Sequence, residues 1–410
     1  MRVKKKIDIW IFLYLYLIFQ TNLQSLTNGV LHTVVKYSDE MIVVILLIMI
    51  ILKAIRREVK FNKLEAGILI SFGIFEILGI IYGMLGGYQK FLYVLVDAFT
   101  CAKFLIVFFA AYKLTNDELE NTWCLRMNNL SQFMAVLLFV LVIHDLLFSP
   151  FFEKAEYRYF TYSIKLFFSH PEGLARAAAG FIYPLAYNMK FGKKNMKYIL
   201  MLCFVMFFTF RSKAIAAMAI IVFIYIYRFF FKQKKVYTLF AMMGIIALLV
   251  GADQLKYYYS HALISRTKLL TDAIKIANMM FPLGSGFGSF GSNVAADFNS
   301  LLYNEMGYFD TANPWAEKAF LNDAFWPIVI SQTGWIGTFF FAISILGLLV
   351  IGIKLYRKKF FSSWIFLSVI MYDLVSTAAS SAFFHPLALS SYIFLGLILS
   401  SAKLNKGDKE

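Results

Sequence analysis

The sequence predicts an all-α, polytopic membrane protein, and three observations carry that prediction. Hydrophobic residues make up 60% of the 410 positions and charged residues only 16%, with a mean hydropathy of +0.68. A soluble chain of this size does not keep that much apolar surface from water. Apolar runs of about 20 residues or slightly fewer recur from one end of the chain to the other, the length that crosses a hydrocarbon core. Lysine and arginine, finally, gather in alternate connections, as they do when one face of a membrane is cytoplasmic.

Read in order, the spans number about twelve. Residues 7–24 form the first, behind the basic start MRVKKK. That start imitates a secretory signal, but it lacks a small-residue cleavage site and its apolar region is aromatic, so it reads as a retained span. The second span, 41–52, runs into KAIRREVKFNK, a cytoplasmic loop by its five basic residues. The third (64–84) and fourth (91–112) are joined by a tight turn at Gly86 and Gly87, and the fifth covers 131–148. An aromatic, moderately charged segment, 149–176, is expected to lie on the outer membrane surface. A short sixth span with Pro184 inside it follows (177–190), then 198–210, 214–230 and 236–252. Spans at 325–353, 361–378 and 386–401 complete the set, which leaves both termini in the cytoplasm.

This orientation assigns 26 of the 40 Lys and Arg to short inside segments and 13 to the outside, although the two longest loops are outside. Lys103 falls within a span. The net charge of +16 is therefore explained by membrane orientation and not by nucleic acid. Cys101, Cys124 and Cys203 are scattered and match neither a disulfide framework nor a metal site. The chain forms one membrane domain, with a large late extracytoplasmic loop at 253–324.

That loop and its surroundings hold the candidate functional residues. Arg211 and Lys213 sit in RSK, between two apolar segments too long together for one span, so they fall at a turn on the outer face. Cations are disfavoured there, and a phosphate or pyrophosphate would justify them, since guanidinium binds phosphate oxygens in bidentate fashion. An arginine or lysine that merely snorkels to headgroups is the plain alternative. Arg176 opens the sixth span beside the small residues Ala175 to Gly180, which would let a helix or a lipid chain approach closely. Arg266 starts an amphipathic surface helix, with Ser265 at its N-cap and Leu269, Leu270, Ala273, Ile274 and Ala277 at helical spacing.

The run PLGSGFGSFGS at 282–292 contains a literal G-x-G-x-x-G. It has no preceding strand and no βαβ context, so a dinucleotide site is rejected. Gly284, Gly286 and Gly288 are read as a turn that brings backbone amides close to a partner. Asp323, beside Phe325 and Trp326 at a helix start, is a candidate acid or base, with a helix cap as the alternative. His385, in SSAFFHP, begins the last span and is a weaker candidate. No zinc spacing and no Asp-x-Asp pattern appears, and no cofactor is called for.

Several of these features together resemble the O-antigen polymerase and O-antigen ligase superfamily, in the branch of Wzy-type capsular polysaccharide polymerases. They are the many spans, FRSKAIAAMAI at the outer end of a helix pair, the late loop with its P-L-G-S-G-F-G-S-F turn, ND-x-FWP-x-x-x-x-Q-x-G-x-x-G into the next span, and SAFFHPLALSSYIFLGLILS. The resemblance covers most of residues 170–400. It implies a metal-independent glycosyltransferase of the membrane-embedded C class, resident in the bacterial cytoplasmic membrane. Its donor would be a glycan on undecaprenyl pyrophosphate, and a flippase and a chain-length regulator would be its working partners. Arg211 and Arg266 carry over to the pyrophosphate grip by motif position, Arg176 less directly. The ligase branch has a histidine where this chain has Asp323, which favours a polymerase. A ligase-type transferase and a flippase or exporter for the same lipid-linked sugar are the alternatives. A transporter shows internal repeats and broken helices in both halves, whereas here the polar features cluster late and at one face.

Overall fold

The computed structural model describes residues 2–115, 120–148, 151–230, 238, 242–245, 265–308, 321–322 and 324–404. The architecture is that of an all-α membrane protein, and among the described residues the only strands are a two-residue pair at Tyr157–Arg158 and Thr161–Tyr162. Helices α1 (Arg2–Ser25), α2 (Gly29–Lys36), α3 (Ser38–Ile55), α4 (Lys63–Gly86), α5 (Phe91–Leu114) and α6 (Glu120–Leu147) build the first half. After the small hairpin come α7 (Pro171–Asn188), α8 (Met196–Phe207) and α9 (Ser212–Phe230). The late loop contributes α10 (Ser265–Met279) and two short helices, α11 (Asn293–Asp297) and α12 (Leu301–Glu305). The last three are α13 (Phe325–Lys358), α14 (Phe360–Ser376) and α15 (Pro386–Leu404). Four described helices, Lys63–Gly86, Phe91–Leu114, Trp123–Leu147 and Phe325–Tyr356, are long and apolar enough to cross a membrane. The span expected at 236–252 lies mostly outside the described residues.

The sequence explains the helix ends. Asn62 and Glu65 form a capping box at the start of α4, Glu65 N–H donating to Asn62 Oδ1 at 2.9 Å and Asn62 N–H to Glu65 Oε2 at 3.1 Å. The helix stops at Gly87, whose φ of 67° suits a residue without Cβ. In α7, Pro184 has no amide to give to the carbonyl of Gly180; the Tyr14 hydroxyl of α1 donates there instead. The small residues of α7 thus admit a helix, α1, with Ile18 also against Gly180.

Helices α5, α7, α14 and α15 form the interior, and nearly every side chain of α7 is buried. On the periphery α3 turns Met41, Ile45, Ile48, Leu52 and Ile55 outward, an apolar face suited to lipid.

The glycine-rich run packs into the helix bundle. Residues 284–292 are buried throughout, wedged between α4, α5 and α13. Helix α13 breaks at Gly334 (φ 63°), and the wedge takes up the carbonyls freed by the break: Ser285 N–H donates to Ser331 O and Gly286 N–H to Gln332 O, both at 2.8 Å. The carboxylate of Asp97 in α5 accepts from Gly288 N–H at 2.7 Å and from Gln332 Nε2 at 2.9 Å. Helix α10 lies along α13 and buries Leu269, Ala273, Ile276 and Ala277, leaving Ile274 exposed. With Phe290, Tyr303 and Tyr308 it forms a second, smaller apolar cluster over the bundle.

Candidate functional site: a cationic cavity at one end of the bundle

Four connections converge on one end of the bundle. They are the segment before α7, the turn between α8 and α9, the residues around the start of α13, and the turn between α14 and α15. Between them lies a cavity of about 570 Å³ lined by Arg158, Arg211, Lys213 and Arg266 as cations, by Glu156 and Glu172 as carboxylates, and by His170 and His385. Four positive groups thus face two negative ones, and α7, α9 and α15 all begin here. Their N-termini add positive potential. The cavity is electropositive and polar, suited to an anion with several oxygens.

Its cations are held by specific partners. Lys213 Nζ donates to Glu172 Oε2. Arg176 sits behind the wall: its Nε is 3.2 Å from Glu172 Oε1, and its Nη1 is 2.9 Å from Asp373 Oδ1 in α14. Glu172 is therefore clamped between two cations, and Ser380 Oγ also donates to it at 3.3 Å. Arg211 is tied more loosely, with Nη2 at 3.6 Å from Glu156 Oε1. Its Nε is buried and donates no hydrogen bond among the described residues. A buried donor in that condition costs free energy that a bound oxyanion would recover. Burial and then the neighbouring Arg158 push the Arg211 guanidinium below its ordinary value. The hydrogen bond from Arg158 holds Glu156 below the usual carboxylate range.

Both histidines accept a backbone hydrogen bond through Nδ1. His170 caps α7, its Nδ1 accepting from Glu172 N–H at 3.1 Å, and His385 Nδ1 accepts from Leu387 N–H at 3.1 Å in the turn before α15. With Nδ1 an acceptor, the ring proton resides on Nε2. Burial and then Arg211 lower the pKa of His170. Burial and then Arg176 push His385 down to about 4.

The residues singled out in the sequence divide as follows. Arg211, Lys213, Arg266 and His385 line the cavity together. Arg176 is one layer back, holding Glu172. Gly284, Gly286 and Gly288 do not line it; the partners their backbone approaches are α4, α5 and α13 of the chain itself. Asp323 lies outside the described residues, while its neighbour Asn322 lines the cavity.

Sequence reasoning overlooked Glu172, Glu156, Arg158 and His170, all in the segment read as a surface stretch. The spacing of Glu172 and Arg176, four residues apart at the start of a helix, was the signal for one of them. Among the described residues no three His, Cys, Asp or Glu side chains group so as to hold a metal ion. No family model matches the chain, no curated protein matches it, and no solved structure matches its fold.

Proposed function

We propose that the protein is a polymerase of lipid-linked oligosaccharide repeat units, of the O-antigen polymerase and ligase type. In this reading it transfers a growing glycan from undecaprenyl pyrophosphate to a new lipid-linked repeat unit at the outer face of the bacterial cytoplasmic membrane. The observation that carries the reading is the gathering of Arg211, Lys213 and Arg266 around one cavity at the end of an apolar bundle. A departing pyrophosphate develops negative charge, and fixed cations placed in advance stabilise it without reorganising. Helix N-termini at the same end act in the same direction.

The location of the cavity supports the assignment to the outer face. Lys193 and Lys194 precede α8, and Lys354 closes α13, all at helix ends opposite the cavity. By the positive-inside rule those ends are cytoplasmic and the cavity is not. The partial neutralisation of its cations by Glu156 and Glu172 accounts for positive charge surviving on the disfavoured side. Asp323, which lies outside the described residues, stays a candidate acid or base on its sequence setting.

The test is purified protein in lipid nanodiscs with the lipid-linked repeat unit that accumulates in a strain lacking this gene. A ladder of products on a gel is the expected result, and Arg211→Ala removes it. A flippase would give no ladder, and the strain lacking it would display no single repeat units at the surface.

A further inference from the structure

Beside the cationic cavity lies a second one of about 360 Å³, and the two share Asn293, Asn322 and Ser381 as lining residues. Its chemistry is opposite. It is lined by the carboxylates Asp39, Glu40, Asp97 and Asp297, with Lys36 and Lys103 as its cations. Lys103, midway along α5, has Nζ at 2.7 Å from Asp39 Oδ2 and at 2.7 Å from Glu40 Oε1. Asp39 Oδ1 accepts from Gln20 Nε2 at 2.8 Å. Lys103 and Asp39 are thereby engaged within the protein.

Glu40 and Gln20 are each left with one oxygen unmet. Glu40 Oε2 and Gln20 Oε1 are buried and accept no hydrogen bond among the described residues, although both residues line the cavity. Glu40 keeps 29% of its side chain exposed, while Gln20 is only 2% exposed. A buried acceptor without a donor costs roughly 1–3 kcal/mol, and water or a ligand ordinarily supplies the donor. The carboxylates disfavour an anion here. A neutral polyol brings many donors and no charge.

We propose that this second cavity takes the neutral, hydroxyl-rich glycan end of the acceptor repeat unit, and that Glu40 receives the proton of the attacking hydroxyl. The proposal rests on the transferase reading above. In the step, the acceptor O–H proton passes to the free carboxylate oxygen of Glu40. The acceptor oxygen uses its electron pair to bond the anomeric carbon of the donor glycan. The bond from that carbon to the pyrophosphate oxygen breaks, and the diphosphate leaves with the pair into the cationic cavity. Lys103 fixes one Glu40 oxygen and leaves the other for the proton, and the shared wall of Asn293, Asn322 and Ser381 is where donor and acceptor meet.

Full-length protein in nanodiscs is assayed with two probes, radiolabelled inorganic pyrophosphate for binding and the extracted lipid-linked repeat unit for chain growth. Glu40→Gln is expected to accumulate in membranes as folded protein, bind pyrophosphate within twofold of wild type and lose chain growth about 100-fold or more, the usual weight of a general base. Its residual rate loses the rise with pH that the wild type shows on the acid side, and Glu40→Asp restores part of the rate. Wild-type growth by Glu40→Gln overturns the proposal, as does an unchanged acid limb, or an acid limb that Asp323→Asn removes instead. Loss of pyrophosphate binding in Glu40→Gln also overturns it, because the residue would then be serving the donor cavity. A wild-type protein that binds pyrophosphate and builds no ladder overturns the transferase reading itself, and this proposal with it.

Discussion

Glu172 decides whether the cationic cavity exists at all. It is 14% exposed and is clamped by Lys213 and Arg176. Removing one partner of a buried charge pair costs far more than a surface salt bridge is worth, on the order of 3 kcal/mol, because the other charge stays buried and unpaired. Glu172→Gln is therefore expected to lower the melting temperature of the detergent-solubilised protein by several degrees, and adding Lys213→Met to recover part of the loss. Equal melting of Glu172→Gln and wild type would show that the clamp holds nothing.

Arg211 behaves differently, since the carboxylate it pairs with among the described residues is exposed Glu156, at 3.6 Å. Arg211→Ala is expected to leave the melting temperature nearly unchanged and to weaken pyrophosphate binding about tenfold or more, the worth of one charge-assisted hydrogen bond. His385 adds a pH dependence. Its folded pKa, about 4, lies below the unfolded value of about 6.5, so below pH 6.5 the unfolded chain binds a proton that the native one does not. The stability this contributes is fully present above 6.5 and is lost as pH falls toward 4. His385→Asn is expected to flatten the fall in melting temperature between pH 7 and pH 5.

The elements show which parts of the molecule were legible in the sequence. Apolar runs gave α4, α5 and α13 nearly to their ends, because the length of an apolar run is a local property; the Asn62–Glu65 box that starts α4 went unread. The grouping of Arg211, Lys213, Arg266 and His385 was half legible: cations at helix ends are visible in a sequence, but Glu172 and Glu156, which pair with Lys213 and Arg211, come from another part of the chain. The glycine-rich wedge was the least legible part. Nothing local distinguishes a turn that meets a ligand from one that meets another helix. The difference rests on Gly83 and Asp97, nearly 200 positions upstream.

That wedge carries a sharp prediction. A Cβ on Gly286 would lie 2.0 Å from the backbone nitrogen of Gly83, and its φ of 86° is itself unfavourable for a side chain. Gly87 has a similar φ of 67° but open space around it. Gly87→Ala is expected to cost about 1 kcal/mol, the left-handed penalty alone. Gly286→Ala, which must move helix backbone as well, is expected to abolish accumulation of folded protein in membranes. Comparable yields of the two variants would mean that the wedge is not packed against α4.

At the scale of the whole molecule the two ends of the bundle are chemically distinct, and the functional reading depends on which end faces out. One end holds the cavities; the other carries Lys193, Lys194 and Lys354. Every reading that uses a polyprenyl pyrophosphate at the outer face requires the cavity end to be reachable from outside the cell. The native cysteines, Cys101, Cys124 and Cys203, are all buried, so an introduced cysteine reports with little background. Ala378, exposed in the turn between α14 and α15 beside cavity-lining Ala379, marks one end, and exposed Lys193 marks the other. In intact cells a membrane-impermeant maleimide is expected to label Ala378→Cys, and Lys193→Cys only after permeabilisation. The reverse pattern would turn the arginines toward the cytoplasm, where they would meet soluble phosphates, and the polymerase reading would fall. Labelling of both without permeabilisation would mean that the chain does not form the closed bundle that separates the two ends.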